Sequence, residues 1–233
     1  MLEFAVLSSG SKANCLYIGN DQERILIDCG LSAKQACLRL QAVGIEPDTI
    51  SSIIVTHEHS DHIAGIPVFQ KRFKSKIYVN SATLTSCPSL SILAPDYLTR
   101  FDSSKEFAIG TLSITPISIL HDASDPVGFR ITSGDATLAL ITDLGQVTNL
   151  VKEKTRDVDA LILECNHEVE MLWEAPYPWE LKQRIRSRFG HLSNEQAAEF
   201  LEENFTQGVL APKGADAEAI LEPNPELPLS QQI

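Results

Sequence analysis

The stretch His57-Glu58-His59-Ser60-Asp61-His62 constrains this chain more than any other feature. It places three imidazoles and a carboxylate at H-x-H-x-D-H spacing, directly behind the apolar run Ile53-Ile54-Val55-Thr56. A buried strand that runs into a ligand-rich loop holds its donors on rigid backbone, as a metal site requires. Imidazole and carboxylate suit Zn²⁺, Mn²⁺ or Fe²⁺, and alternating positions can divide the ligands between two ions. A solvated polar loop would have the same hydrophilicity but no reason for this crowding. The chain has 6 histidines, and half of them lie within this hexapeptide.

Other donors fall at comparable places. His121 follows the alternating segment 112–119, Asp143 follows Ala139-Leu140-Ile141-Thr142, and His167 follows Ala160-Leu161-Ile162-Leu163-Glu164. His191 lies in Phe189-Gly190-His191-Leu192-Ser193-Asn194, just ahead of a helical pattern. Any one of these alone reads as a structural residue. Their recurrence at strand and helix boundaries points to one sheet edge, where binding and catalytic side chains collect.

With these residues in place, the chain resembles the metallo-β-lactamase superfamily of metallohydrolases, and more closely the YycJ/WalJ/VicX-type bacterial proteins. The closer resemblance rests on several stretches: Ser9-Gly10-Ser11-Lys12-Ala13-Asn14; Leu26-Ile27-Asp28-Cys29-Gly30-Leu31-Ser32; His121-Asp122-Ala123 with Asp125-Pro126-Val127-Gly128-Phe129; Ile141-Thr142-Asp143-Leu144-Gly145. It continues through Glu164-Cys165-Asn166-His167-Glu168 and from Tyr177-Pro178 to Gly190-His191-Leu192-Ser193-Asn194.

The resemblance implies an α/β chain folded as an αββα sandwich, with the site at the mouth between two sheets. It implies that His57, His59 and His121 hold one divalent ion, Zn or Mn. Asp61, His62 and Asp143 would hold a second, with Asp143 shared. Asp61 and His191 are then the catalytic candidates, the latter as a proton donor to the leaving oxygen or a hold on a phosphate oxygen. Ser9, Ser11, Asn14, His167 and His191 are candidate substrate contacts, and Asp28 is expected to brace the metal loop. The implied activity is hydrolysis of phosphodiesters by a metal-bound hydroxide, exonuclease-like, on nucleic acid in a bacterial cytoplasm. A small-molecule metallohydrolase of the cyclic phosphodiesterase or glyoxalase II type, and a regulatory protein with a degraded second metal site, are the alternatives.

One position departs from the family pattern. Where relatives carry a further histidine in a Leu-Ala-His-Leu-Ser context, this chain reads Val209-Leu210-Ala211-Pro212-Lys213-Gly214, and no histidine follows His191. Proline offers no ligand, so the second ion is expected to bind weakly. Residues 1–208 are expected to form the hydrolase domain and 209–233 an irregular tail, rich in proline and free of aromatic rings.

Composition narrows the class further. The 233 residues, 43% hydrophobic, can bury one sizeable core. No apolar run approaches the ~20 residues that span a bilayer, and the first residues read as a strand rather than a leader. Five cysteines without C-x-x-C spacing point to reduced thiols rather than a disulfide framework. The net charge of −12 argues against a non-specific nucleic-acid coat. Two basic runs stand out against it: Lys71-Arg72-Phe73-Lys74-Ser75-Lys76, and Lys182, Arg184, Arg186 and Arg188 ahead of His191. Both could flank a phosphate path, although helix C-termini attract cations anyway.

Patterning predicts strands at 3–7, 14–18, 24–27, 52–56, 77–79, 106–118, 127–132, 136–142 and 159–163. Helices are expected from Ser32 to Val43, from Ile63 to Phe73, and over 146–154, 179–188 and 194–204. Residues 80–105 resist assignment and read as a lid-like or irregular insertion.

Overall fold

A computed structural model of the chain describes residues 1–204. The expected domain boundary at 208 and the tail containing Pro212 lie outside the described residues.

The first sheet has six strands in chain order: β1 (Glu3–Ser8), β2 (Cys15–Gly19), β3 (Arg24–Ile27), β4 (Ser52–Ile54), β5 (Lys76–Asn80) and β6 (Leu98–Phe101). β1, β2 and β3 pair antiparallel, and β3 through β6 pair parallel. The parallel pairs are reached by crossovers that carry helices α1 (Ala33–Ala42), α2 (Ser60–Ile63), α3 (Ile66–Phe73), α4 (Ser81–Ser86) and α5 (Pro88–Ser91). The second sheet runs β11 (Ala160–Leu163), β10 (Ala136–Ile141), β9 (Val127–Ser133), β8 (Leu112–Ser118) and β7 (Phe107–Ile109). It is antiparallel except where β10 meets β11. Helices α6 (Asn149–Lys154), α7 (Val169–Glu174), α8 (Trp179–Ile185) and α9 (Asn194–Asn204) complete the described chain.

Strand alternation explains the layering. Ile25 and Ile27 of β3 and Ile54 of β4 pack with Ile114, Phe129, Leu138 and Leu140 of the other sheet, forming the interior between the sheets. The intervening Leu26 and Ile53 point the opposite way and pack with Ala36, Leu40, Ile66 and Phe69 of α1 and α3. On the far side, Ile141 joins Val151 of α6 and Phe200 of α9. A period of two in the strands therefore buries both faces of each sheet, giving the expected four layers, helix–sheet–sheet–helix.

Local signals held where their chemistry was explicit. Ser32 caps α1 by accepting from the Gln35 amide. Ser193 and Gln196 exchange bonds at the start of α9: the Gln196 amide donates to Ser193 Oγ at 3.2 Å, and the Ser193 amide donates to Gln196 Oε1 at 3.0 Å. That is a capping box.

Several expectations need correction. The helix expected over 63–73 is two pieces, α2 and α3, with Pro67 in the first turn of α3, where a missing N–H costs nothing. The single strand expected over 106–118 is a hairpin, β7 and β8, turning at Gly110 with φ 53°. Residues 80–105 are ordered rather than irregular: Asn80 caps α4, and β6 extends the parallel sheet. Helix α7 was not anticipated, since Val169–Glu174 is too short to show a period. All five cysteines are unpaired, with Cys15, Cys29 and Cys87 buried. No helix among the described residues is long and apolar enough to cross a membrane.

Candidate metal centre

The site lies where strands of both sheets end. His57 follows β4, Asp28 follows β3, His121 follows β8, Asp143 follows β10 and Glu164 follows β11. Asp28 and Asp143 sit in left-handed backbone at φ 58° and 53°. Aspartate tolerates that region better than most residues, and here it turns each carboxylate toward the histidines.

Three groups of donors come together. His57, His59 and His121 form one, His57, His62 and Asp143 a second, and His121, Asp143 and His191 a third; within each, one ligand atom per residue lies within 4.8 Å of the others. Asp61 is adjacent, with Oδ2 3.4 Å from His62 Nε2, which is itself 3.2 Å from Asp143 Oδ2. All six sequence-predicted ligands thus converge, and His191 joins them. Placed in the sequence reading as a substrate or proton-transfer residue, it lies at ligand distance from Asp143 and His121.

A hydrogen-bond chain sets the imidazoles. The Asp28 carboxylate accepts from the Thr56 amide at 2.9 Å, from Thr56 Oγ1 at 2.8 Å and from His62 Nδ1 at 2.7 Å. Thr56 has given its only hydroxyl proton to Asp28, so its 2.9 Å contact with His57 Nδ1 makes that nitrogen the donor. His57 Nε2 is then the lone-pair atom, and it is buried without a hydrogen-bond partner. His121 donates from Nδ1 to the Gly190 carbonyl at 3.1 Å, and His191 Nδ1 contacts Glu164 Oε1 at 2.6 Å. Four imidazoles are therefore tied back through Nδ1, which leaves Nε2 as the ring nitrogen available to ligate. Ligating histidines are oriented in this way by their outer partners.

Electrostatics agree with that arrangement at His57 and His121, whereas His62 would have to give up a proton to ligate. Burial, helped by the neighbouring His62, pushes His57 down to about 2, so its ring is neutral and able to ligate. Burial also lowers His121. At His62, burial opposes the charge, but the carboxylates of Asp28, Asp143 and Asp61 outweigh it and raise the pKa well above the ordinary value. Burial works against ionisation of Asp143 as well, yet its bond to His62 holds the carboxyl below the usual range. An anionic, imidazole-rich donor set with an orphaned buried nitrogen fits divalent metal binding.

The remaining candidates separate. Asn14 Nδ2 lies 3.1 Å from Asp61 Oδ2 and 2.9 Å from His62 Nε2, so this expected substrate contact stands at the second donor group. Ser9 and Ser11 are exposed on the same loop. His167 is in none of the donor groups; its carbonyl accepts from the Asn194 amide at 2.9 Å.

Three participants escaped the sequence reading. Glu164 holds His191 and also accepts from the Leu144 amide at 2.7 Å. Thr56 relays Asp28 to His57. Asp122 lies 3.3 Å from His121 Nε2 and accepts from Arg184 Nε at 2.6 Å. Asp122 adjoins the expected ligand His121 and Glu164 directly follows β11, yet acidic residues are common and only their contacts distinguish them.

Two glycines permit the convergence. A Cβ on Gly30 would lie 1.6 Å from the Asp61 carbonyl oxygen, and one on Gly145 would lie 2.3 Å from that of Arg188. The metal loop and the His191 segment can approach the sheet only over bare backbone.

Comparison with known proteins gives a consistent picture. The family described as the beta-lactamase superfamily domain matches residues 23–207. Exodeoxyribonuclease YycJ of Bacillus anthracis is 37% identical over 198 residues, covering 84% of this chain and 75% of that protein. Exodeoxyribonuclease WalJ of Streptococcus pneumoniae is 34% identical over 205 residues, with 84% and 74% covered. Among solved structures, the metallo-beta-lactamase fold protein YhfI of Bacillus subtilis superposes with a TM-score of 0.68 at 19% identity, covering 88% of this chain and 83% of that one.

Proposed function

The chain belongs to the beta-lactamase superfamily, in its metallo-β-lactamase fold, and within it we propose a metal-dependent exodeoxyribonuclease. The observation that carries this reading is the convergence of His57, His59, Asp61, His62, His121, Asp143 and His191 in a chain similar along most of its length to the YycJ and WalJ exodeoxyribonucleases.

His57, His59 and His121 would hold one divalent ion, Zn or Mn, and Asp61, His62 and Asp143 a second. Bound there, such ions supply Lewis acidity that activates water near neutral pH and offsets charge on a phosphoryl group. The protein's own residues orient and neutralise. Asp28 and Thr56 fix the rings of His62 and His57. His191, whose pKa the Glu164 carboxylate raises despite burial, is suited to hold a non-bridging phosphate oxygen or protonate the departing one. Its place next to the start of α9 also favours an anion.

The test is hydrolysis of end-labelled duplex and single-stranded DNA by protein loaded with Mn²⁺ or Zn²⁺. Release of nucleotides from an end supports the reading. Brisk cleavage of S-lactoylglutathione with DNA left intact would overturn it in favour of a thioesterase.

A further inference from the structure

The chain has two tryptophans, Trp173 of α7 and Trp179 of α8, and they meet just ahead of the segment that carries His191. Their rings stack with centroids 5.2 Å apart and planes 26° from parallel, and Trp179 remains 58% exposed. The Arg186 guanidinium lies 4.8 Å from the Trp173 ring centre, and that of Arg188 lies 4.6 Å from Phe189, another exposed ring. Large indoles are normally buried, because each carries more apolar surface than any other side chain. Here Trp179 is presented to solvent and Trp173 is half-buried beneath the Arg186 guanidinium.

The segment that follows is out of character in charge, while Glu174 and Glu180 adjoin the tryptophans themselves. In a chain of net charge −12, residues 181–191 contain Lys182, Arg184, Arg186 and Arg188 and no acidic residue. The same segment is anchored to the site. Arg184 donates to Asp122, whose other oxygen faces His121, and the His191 amide donates to the Ile185 carbonyl at 2.8 Å. Aromatic faces interleaved with guanidinium groups are what an unpaired nucleic-acid strand requires: rings for its bases and cations for its phosphates.

We propose that Trp179, stacked on Trp173, is a platform for an unpaired base of the DNA strand held in the site, with Arg186 and Arg188 meeting that strand's phosphates. This rests on the exodeoxyribonuclease reading and extends it to how the strand end is gripped. A continuous duplex hides its base faces, so the platform requires the strand to be single or frayed where it leaves the metal centre.

Because these are the chain's two tryptophans, fluorescence excited selectively at tryptophan reports on the patch alone. The full chain, loaded with Mn²⁺, is titrated with a phosphorothioate oligodeoxynucleotide that resists cleavage; saturable quenching is expected. In parallel, DNA hydrolysis is measured for wild type, Trp179→Ala and Trp179→Phe. Loss of one stacked base should raise KM for DNA about tenfold in Trp179→Ala with kcat nearly unchanged, and Trp179→Phe should restore it. An oligonucleotide carrying abasic residues at its end should not distinguish Trp179→Ala from wild type.

Wild type that degrades DNA without quenching, or with equal KM in Trp179→Ala, would overturn the platform while leaving the exodeoxyribonuclease reading intact. Quenching by an oligonucleotide without any DNA hydrolysis would support the platform and refute that reading. Concentration-dependent dimerisation that Trp179→Ala abolishes, with no response to DNA, would show the patch to be a contact between copies and overturn the proposal.

Discussion

Asp28 Oδ2 lies 2.7 Å from His62 Nδ1, joining the end of β3 to the short helix α2 through a carboxylate and an imidazole that are both almost wholly buried. Three donors reach this carboxylate, so it fixes His62 directly and His57 through Thr56. Replacing Asp28 with Asn keeps the shape but removes the charge and part of the accepting capacity. Metal affinity should fall about 10- to 100-fold, as for other outer partners of ligating histidines. Calorimetric titration checks this; unchanged affinity would show that Asp28 is only a structural brace.

His59 belongs to a donor group whose members all match the family pattern. It is the most exposed of the three, with about a third of its side chain accessible (30%), so truncation should not collapse the core. The His59→Ala variant should fold as wild type by circular dichroism, lose most bound metal by elemental analysis, and lose DNA hydrolysis. Full metal content in that variant would refute the ligand assignment.

The second ion should be the looser one. The resemblance implies a histidine where Pro212 stands, while His191, 3.8 Å from Asp143 Oδ1, is placed to compensate in part. Dialysis should leave about one tightly held equivalent and an exchangeable second, with activity rising as Mn²⁺ is added. His191→Ala should weaken the exchangeable site further. Two equivalents surviving dialysis in both proteins would show that neither the missing histidine nor His191 governs that ion.

Gly145 touches the segment that carries the carbonyl accepting from His121. In Gly145→Ala the new Cβ would press on Arg188 O and on Gly190 N, at 2.3 and 2.7 Å. Moving that segment should cost about 1–3 kcal/mol of stability, as overpacking commonly does, and should loosen His121. Denaturant melting and metal titration of the variant are the measurements; wild-type values in both would mean that the segment yields freely.

Legibility differed along the chain for physical reasons. The metal-loop donors were readable because ligand chemistry needs particular residue types at close spacing, and H-x-H-x-D-H behind an apolar strand satisfies that locally. The sandwich was readable through resemblance, and the alternation at Ile25, Leu26 and Ile27 accounts for it once the partner faces are known. Chain from Asn80 to Phe101 was not readable, because α4, α5 and β6 are too short to show a period and are held by neighbours instead. Glu164, Thr56 and Asp122 were invisible for a related reason: a carboxylate or hydroxyl gains its role only from what lies within about 3 Å of it. The sequence by itself determined which donors exist and which strands end in them. Only the tertiary structure decided that Glu164 meets His191, that Asp28 reaches both His62 and Thr56, and that an exposed Trp179 stacks on Trp173 with Arg186 against the latter ring. Those pairings join residues far apart in the chain, and packing of the two sheets and their helices, not local preference, brings them together.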